Sequence, residues 1–168
     1  MKYKKLSDVC SFRKGKVCVC DLSSKTYIST ENMLPNKRGI IDANKLPNTE
    51  YTQEYRTGDI LISNIRPYFK KIWYATQNGG CSSDVLVLTA NDNIVSEFLY
   101  YILADDSFFF YSMATSKGTK MPRGDKDAIM KYNIPNFDKI EQLKIATLLR
   151  NLDYKIELNN NINNNLAA

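Results

Sequence analysis

The chain has no histidine among its 168 residues. That absence excludes Ser-His-Asp and Cys-His catalysis, histidine-ligated metals and a histidine general base. There is also no Walker A lysine loop, no G-x-G-x-x-G and no N-P-P-Y-type tetrapeptide. Four cysteines, Cys10, Cys18, Cys20 and Cys81, form no C-x-x-C pair, so a zinc site is not expected. A chain this long builds a core without disulfides, so none is expected either. No apolar run approaches the ~20 residues that span a bilayer. The opening "MKYKKLSDVCSF" lacks the apolar stretch of a signal peptide, which leaves a reducing cytoplasm as the default. Glu141 and Lys144 superficially match the carboxylate and lysine of metal-dependent nucleases, but they fall on a helix beside a capping signal. Catalysis, metal and cofactor are therefore not expected.

What is present is an ordinary globular composition, 43% hydrophobic and 24% charged, with eleven tyrosines, seven phenylalanines and a net charge of +5. So mild an excess matters through its distribution. "KYKKLSDVCSFRKGK" holds six basic residues and one acid, Asp8. "SNIRPYFKKIWYA", Ser63 to Ala75, interleaves Arg66, Lys70 and Lys71 with Tyr68, Phe69, Trp73 and Tyr74 and has no acid. "KGTKMPRGDK" crowds Lys117, Lys120, Arg123 and Lys126 around Asp125, with Gly118 and Gly124 permitting close backbone approach to a polyanion. Ser82 and Ser83 in "CSSD" are hydrogen-bond donors suited to phosphates or bases. Each cluster has a plainer reading: charges that solvate an edge and discourage strand pairing, a solvated loop, and a polar turn before a strand.

The hydrophobic pattern predicts an α+β chain. A short amphipathic segment is expected over Lys2 to Phe12. Strands follow at "VCVCDL", "KTYIST", Ile60 to Ile62, the flanks of the 63–75 loop and "CSSDVLVLTA", with "QNGG" as a turn. They read as neighbours in a small antiparallel sheet or partial barrel. Met33 to Glu50 is loop-like. Val95, Phe98, Leu99, Ile102 and Leu103 fall on one helical face, with Asn93 or Ser96 as cap. "DDSFFFYSMATSKG" predicts a second helix capped by Asp106 or Ser107 and stopped by Gly118. A helical turn and a short strand ending at Pro135 complete the domain.

From Phe137 to Leu166 there is neither proline nor glycine. Asp138 and Glu141 have capping-box spacing. Ile145, Leu149, Leu152, Ile156, Asn159, Asn163 and Leu166 repeat as a heptad seam, with asparagines that set register. Twenty-eight residues make a helix about 40 Å long, so much of it should project. The closing Leu166-Ala167-Ala168 reads as a helix cut mid-run.

Four blocks, "GDILISNIRPYFKKIWYA", "GGCSSDVLVL", "KGTKMPRGDKDAI" and "IPNFDKIEQLKIATLLRNLDYKIELNNNINNNL", together resemble the specificity subunit of Type I restriction-modification systems. The resemblance covers nearly the whole chain in the family's order. It implies a DNA target recognition domain over 1–136 and a spacer and dimerisation helix over 137–168. It also implies a non-catalytic role, in which the subunit places an adenine-N6 methyltransferase subunit, and with it a motor-nuclease subunit, on duplex DNA. Full-length members usually carry two such domains, each reading one half of a split site. One domain and one helix make this a half-size subunit, a natural fragment or an excised domain. Two copies would pair antiparallel through Ile145, Leu149, Leu152 and Ile156. The matching blocks place DNA contacts at Arg66, Tyr68, Lys70, Lys71, Ser82, Ser83, Lys117, Thr119, Lys120 and Arg123. Alternatively these blocks are shared framework, and the base-reading positions sit in Asn32 to Tyr55, including Lys37, Arg38, Asn44 and Lys45. Two other roles stay open: an adaptor that binds the methyltransferase through its helix without reading DNA, and a general binder of nucleic-acid shape.

Overall fold

The structure, a computed structural model, describes residues 2–166, with side chains to Asn163. Ala167, Ala168 and the side chain of the seam residue Leu166 lie outside the described residues. The central layer is a four-stranded antiparallel sheet of β2 (Cys10–Phe12), β9 (Val85–Ala90), β6 (Ile60–Ser63) and β7 (Ile72–Tyr74), in that order. Side chains alternate across a strand, so a sheet covered on both faces needs unbroken apolar runs. "ILI" and "VLVL" supply them. Ile60, Ile62, Leu86 and Leu88 face one core with Phe98, Leu99, Leu103, Phe108 and Phe109, while Leu61, Val85 and Val87 face a second core with Ile28, Met33 and Tyr55.

The first core is roofed by α1 (Ser96–Ala104), α2 (Asp106–Ala114) and α3 (Lys126–Met130). The second is closed by another four-stranded sheet, β3 (Lys16–Cys18), β5 (Tyr51–Tyr55), β8 (Gly79–Cys81) and β4 (Tyr27–Ile28). Its last pairing is parallel, Tyr27 with Gly80 and Ile28 with Cys81, and the others are antiparallel. Crowding explains the Gly79-Gly80 pair. A Cβ on Gly79 would meet the Thr26 carbonyl oxygen and the Tyr55 ring, and one on Gly80 would meet Leu22, Thr52 and Val17. A small third sheet joins β1 (Tyr3–Lys5) to β10 (Asn133–Pro135).

Several local expectations shift. Lys2 to Phe12 is not one amphipathic segment but β1 and β2 around a 3-10 turn whose Asp8 carboxylate accepts from the Lys5 amide at 2.8 Å. "VCVCDL" is a strand only to Cys18, then a 3-10 turn, Val19–Asp21. In that turn Cys18 and Cys20 are joined as a disulfide, contrary to expectation; their α-carbons lie 5.2 Å apart. "QNGG" ends inside β8, and Cys81 belongs to that strand, so β9 begins only at Val85. Neither Asn93 nor Ser96 caps α1. The Val95 amide donates to the Gln142 side chain instead, at 2.8 Å, so the cap comes from another helix. Asp105 caps α2 through the Ser107 amide.

The long helix α4 (Lys139–Leu166) starts on the expected box: the Glu141 amide donates to Asp138 at 2.8 Å and the Asp138 amide to Glu141 at 3.2 Å. Its first turns lie on α1. Gln142 and Ala146 are buried, Arg150 pairs with Glu97 at 3.0 Å, and Tyr101 donates to Asp153 at 2.8 Å. From Arg150 to Asn163 every residue is exposed. No helix among the described residues is long and apolar enough to cross a membrane.

Candidate nucleic-acid interface

The 63–75 segment folds as the sequence suggests, two strands around a tight tip, but two of its three charges, Lys70 and Lys71, are turned inward while Arg66 stays exposed. A 3-10 turn, Pro67–Phe69, has a left-handed residue at each end, Arg66 at φ 50° and Lys70 at φ 52°. Non-glycine residues rarely adopt this conformation. Here backbone bonds on both sides hold it: the Arg66 amide donates to the Pro122 carbonyl, and the Asn36 and Lys37 amides donate to the Phe69 and Lys70 carbonyls, at 2.8–2.9 Å. Lys70 and Lys37 both grip Asp106, at 2.7 and 2.6 Å. Their hydrogen bonds, that of Lys37 first, hold the Asp106 carboxyl at about 2. Lys71 donates to the Thr30 carbonyl at 2.6 Å, and burial lowers its pKa.

The 117–126 loop is similarly engaged. Lys117 bonds Asp125, which also caps α3, and Arg123 pairs with Asp84 at 3.1 Å. Ile65 and Lys117 each bridge to Arg123, so the two basic loops form one body. Among the ten expected contact residues, Arg66, Tyr68, Ser83, Thr119 and Lys120 are exposed with no side-chain hydrogen bond or ion pair among the described residues. Tyr68 stacks obliquely on Phe69, ring centres 4.7 Å apart. In the other expected window, Lys37 is held by Asp106 and Arg38 by the Pro35 carbonyl, while Asn44 and Lys45 are exposed. Tyr51 to Tyr55, the end of that window, is strand β5 rather than loop.

Beside this body, on the outer sheet, lies a groove of about 700 Å³ whose lining includes Lys14, Lys16, Tyr51, Gln53, Ser82 and Ser83, and no acid. Gln53 is its centre: on β5 it pairs with Lys16 of β3 on one side and Cys81 of β8 on the other, and Ser82 and Ser83 follow Cys81. The loop carrying Lys14 is anchored by its neighbours. Arg13 forms a forked pair with buried Asp59, whose second oxygen also accepts from Thr89, and the Gly15 carbonyl accepts from the Glu54 amide. Asp84, which follows Ser82 and Ser83, carries the groove wall to Arg123. Sequence reading flagged the two serines but not Lys14, Lys16, Tyr51 or Gln53 individually. The available signal was the alternation of "YTQEY", which puts Tyr51 and Gln53 on one side of a strand.

On α4, Ile145 packs partly against the helical core and Leu149 is half-buried beside α1. Leu152 and Ile156 are 48% and 58% exposed, and Leu148, Leu158 and Ile162 are exposed too.

The fold can be assigned from this arrangement. The HsdS subunit of Thermoanaerobacter tengcongensis superposes with a TM-score of 0.70 at 20% identity, over 93% of this chain and 43% of that one. This two-cored α+β domain with its long C-terminal helix therefore shares the fold of the matched part of that subunit. The description "Type I restriction modification DNA specificity domain" matches residues 1–168, and the chain belongs to that family. The specificity subunit of the HindI Type I restriction enzyme of Haemophilus influenzae is 33% identical over 151 residues, covering 83% of this chain and 32% of that protein. The EcoDI specificity subunit of Escherichia coli is 28% identical over 120 residues, covering 71% and 27%. The chain thus spans about a third of the length of these relatives.

Proposed function

We propose that this chain is a non-catalytic recognition unit that reads one half of a split duplex site and holds a Type I methyltransferase subunit there. Family membership supports the role. The observation that carries it to particular residues is the acid-free groove, linked to the basic loops where Asp84, next to Ser83, pairs with Arg123. Residues 1–136 form the recognition unit and 137–168 the spacer. Arg66, Tyr68, Thr119 and Lys120 meet the backbone of the duplex from the exposed tip, and Ser82 and Ser83 meet it from the groove. Lys70, Lys71, Lys117 and Arg123 add positive potential while fixing the two loops.

The exposed stripe on α4 supports a protein partner. Leu152 and Ile156 meet either an antiparallel second copy or the methyltransferase, while Ile145 and Leu149 join spacer to domain. Replacing Leu152 and Ile156 with Asp should abolish that association yet leave the melting temperature within a few degrees, because neither side chain is buried; intact assembly would remove the seam from the interface. The functional test is to co-express the chain with the methyltransferase of its own system and map N6-methyladenine. Methylation confined to a bipartite motif is expected, with the motor-nuclease joining the same complex. An assembled complex that methylates no defined motif would instead support an adaptor that docks through α4 without reading DNA.

A further inference from the structure

The chain's three glutamines divide sharply by use. Gln142 is buried and fully occupied, accepting from the Val95 amide and donating to the Phe137 carbonyl at 2.9 Å. Gln77 donates to the Lys25 carbonyl at 2.6 Å. The side-chain amide of Gln53 has no hydrogen bond among the described residues, although it sits half-buried in the middle of the outer sheet. The buried Asn32 is occupied as well: it accepts from Ser29 and donates to the Tyr27 and Ile41 carbonyls. An idle primary amide held on a regular strand, not on a mobile loop, offers a rigid donor and acceptor side by side.

Its surroundings narrow the ligand. Lys14 and Lys16 are exposed and make no ion pair among the described residues, and the Tyr51 hydroxyl, the Ser83 hydroxyl and the groove lining offer no carboxylate. Two idle cations flanking an idle amide suit a polyanion with hydrogen-bonding edges. A major groove about 12 Å wide exposes base edges to side chains that line the groove of this sheet, where β5 is flanked by β3 and β8. A glutamine amide then meets the N6 donor and N7 acceptor of adenine with both its atoms, while lysines hold the flanking phosphates as point charges.

We propose that Gln53 is a specificity-determining residue that reads an adenine in the half-site, with Lys14 and Lys16 clamping the adjacent phosphates. This inference rests on the DNA-reading role proposed above. The test is selection of bound duplexes from a randomised pool by the 168-residue chain in complex with its methyltransferase, run in parallel for wild type, Gln53→Ala, Gln53→Glu and Lys14→Ala/Lys16→Ala. Wild type should enrich one motif. Gln53→Ala should lose discrimination at one adenine position by roughly 5- to 150-fold and leave the other positions unchanged. Gln53→Glu, which accepts but does not donate, should shift that position toward cytosine. The lysine pair should weaken every duplex alike. Circular dichroism and melting of each variant establish that it is folded, and Gln53→Glu, similar in size to the native side chain, serves if Gln53→Ala is not. An enriched motif that is identical in wild type and both Gln53 variants would overturn this inference and leave the DNA-reading role standing. No enriched motif with wild type would overturn both.

Discussion

At the tip of residues 66–71, Lys70 ends on Asp106 and Lys71 on the Thr30 carbonyl; in the groove, Lys14 and Lys16 end on nothing among the described residues. The two regions hold the same kinds of side chain, cations among aromatics and hydroxyls, and use them differently. The tip has two non-glycine residues at positive φ, a costly backbone that its ion pairs and cross-loop hydrogen bonds stabilise. In the groove Lys16 and Gln53 sit on regular strands and the Lys14 loop is anchored by Arg13 and Gly15, which leaves its lysines and Gln53 for a ligand. Basic density in a sequence therefore measures available charge only after internal partners have been subtracted.

The comparison can be broken or sharpened in order of effect. The largest is expected at Gly79→Ala, which drives a Cβ into the Thr26 carbonyl beneath the groove. Overpacking of this kind costs about 1–3 kcal/mol. A thermal melt should therefore fall by several degrees, and DNA binding should fall with it; an unchanged melt would mean that the outer sheet tolerates displacement. A smaller effect is expected at Asp106→Asn. It releases Lys37 and Lys70 together, so affinity for all duplexes should rise and the salt dependence steepen, while sequence preference stays the same. Weaker binding would show that the clamp, not its charge, is what DNA requires.

The smallest effect is in the acid range. Because Lys37 and Lys70 hold the Asp106 carboxyl at about 2, below its ordinary 3.8, the clamp contributes its full stability above about pH 4 and loses it as the pH falls toward 2. The stability difference between wild type and Asp106→Asn should therefore shrink across that window, as read by denaturant melts; a constant difference would contradict the paired geometry.

Much of the fold was legible because period and composition agree. "ILI" and "VLVL" read as apolar strands, and Val95 to Leu103 and Phe137 to Leu166 as helices, since run length and period agree in each. The failures are where tertiary partners decide. No local pattern shows that Gln142 caps α1 from 47 residues away. Lys2 to Phe12 is broken by pairing with β10 and β9, strands distant in sequence. The β4–β8 parallel pairing depends on Gly79 and Gly80, which read locally as a turn. The candidate site was half legible for the same reason. Ser82, Ser83 and the basic loops stand out by composition, whereas Gln53 is distinguished only by lacking a partner, a property that exists once the chain is folded.

The most direct measurement is the salt dependence of duplex binding by two double variants, Lys14→Ala/Lys16→Ala in the groove and Lys70→Ala/Lys117→Ala in the ion-paired loops. Each phosphate contact contributes about 0.9 to the slope of log affinity against log salt. The groove variant should flatten the slope by about two with its melt unchanged, and the loop variant should lower the melt while leaving the slope nearly as it was. The reverse pattern would make the ion-paired Lys70 and Lys117, rather than Lys14 and Lys16, the direct phosphate contacts and contradict the division of labour drawn between the two regions.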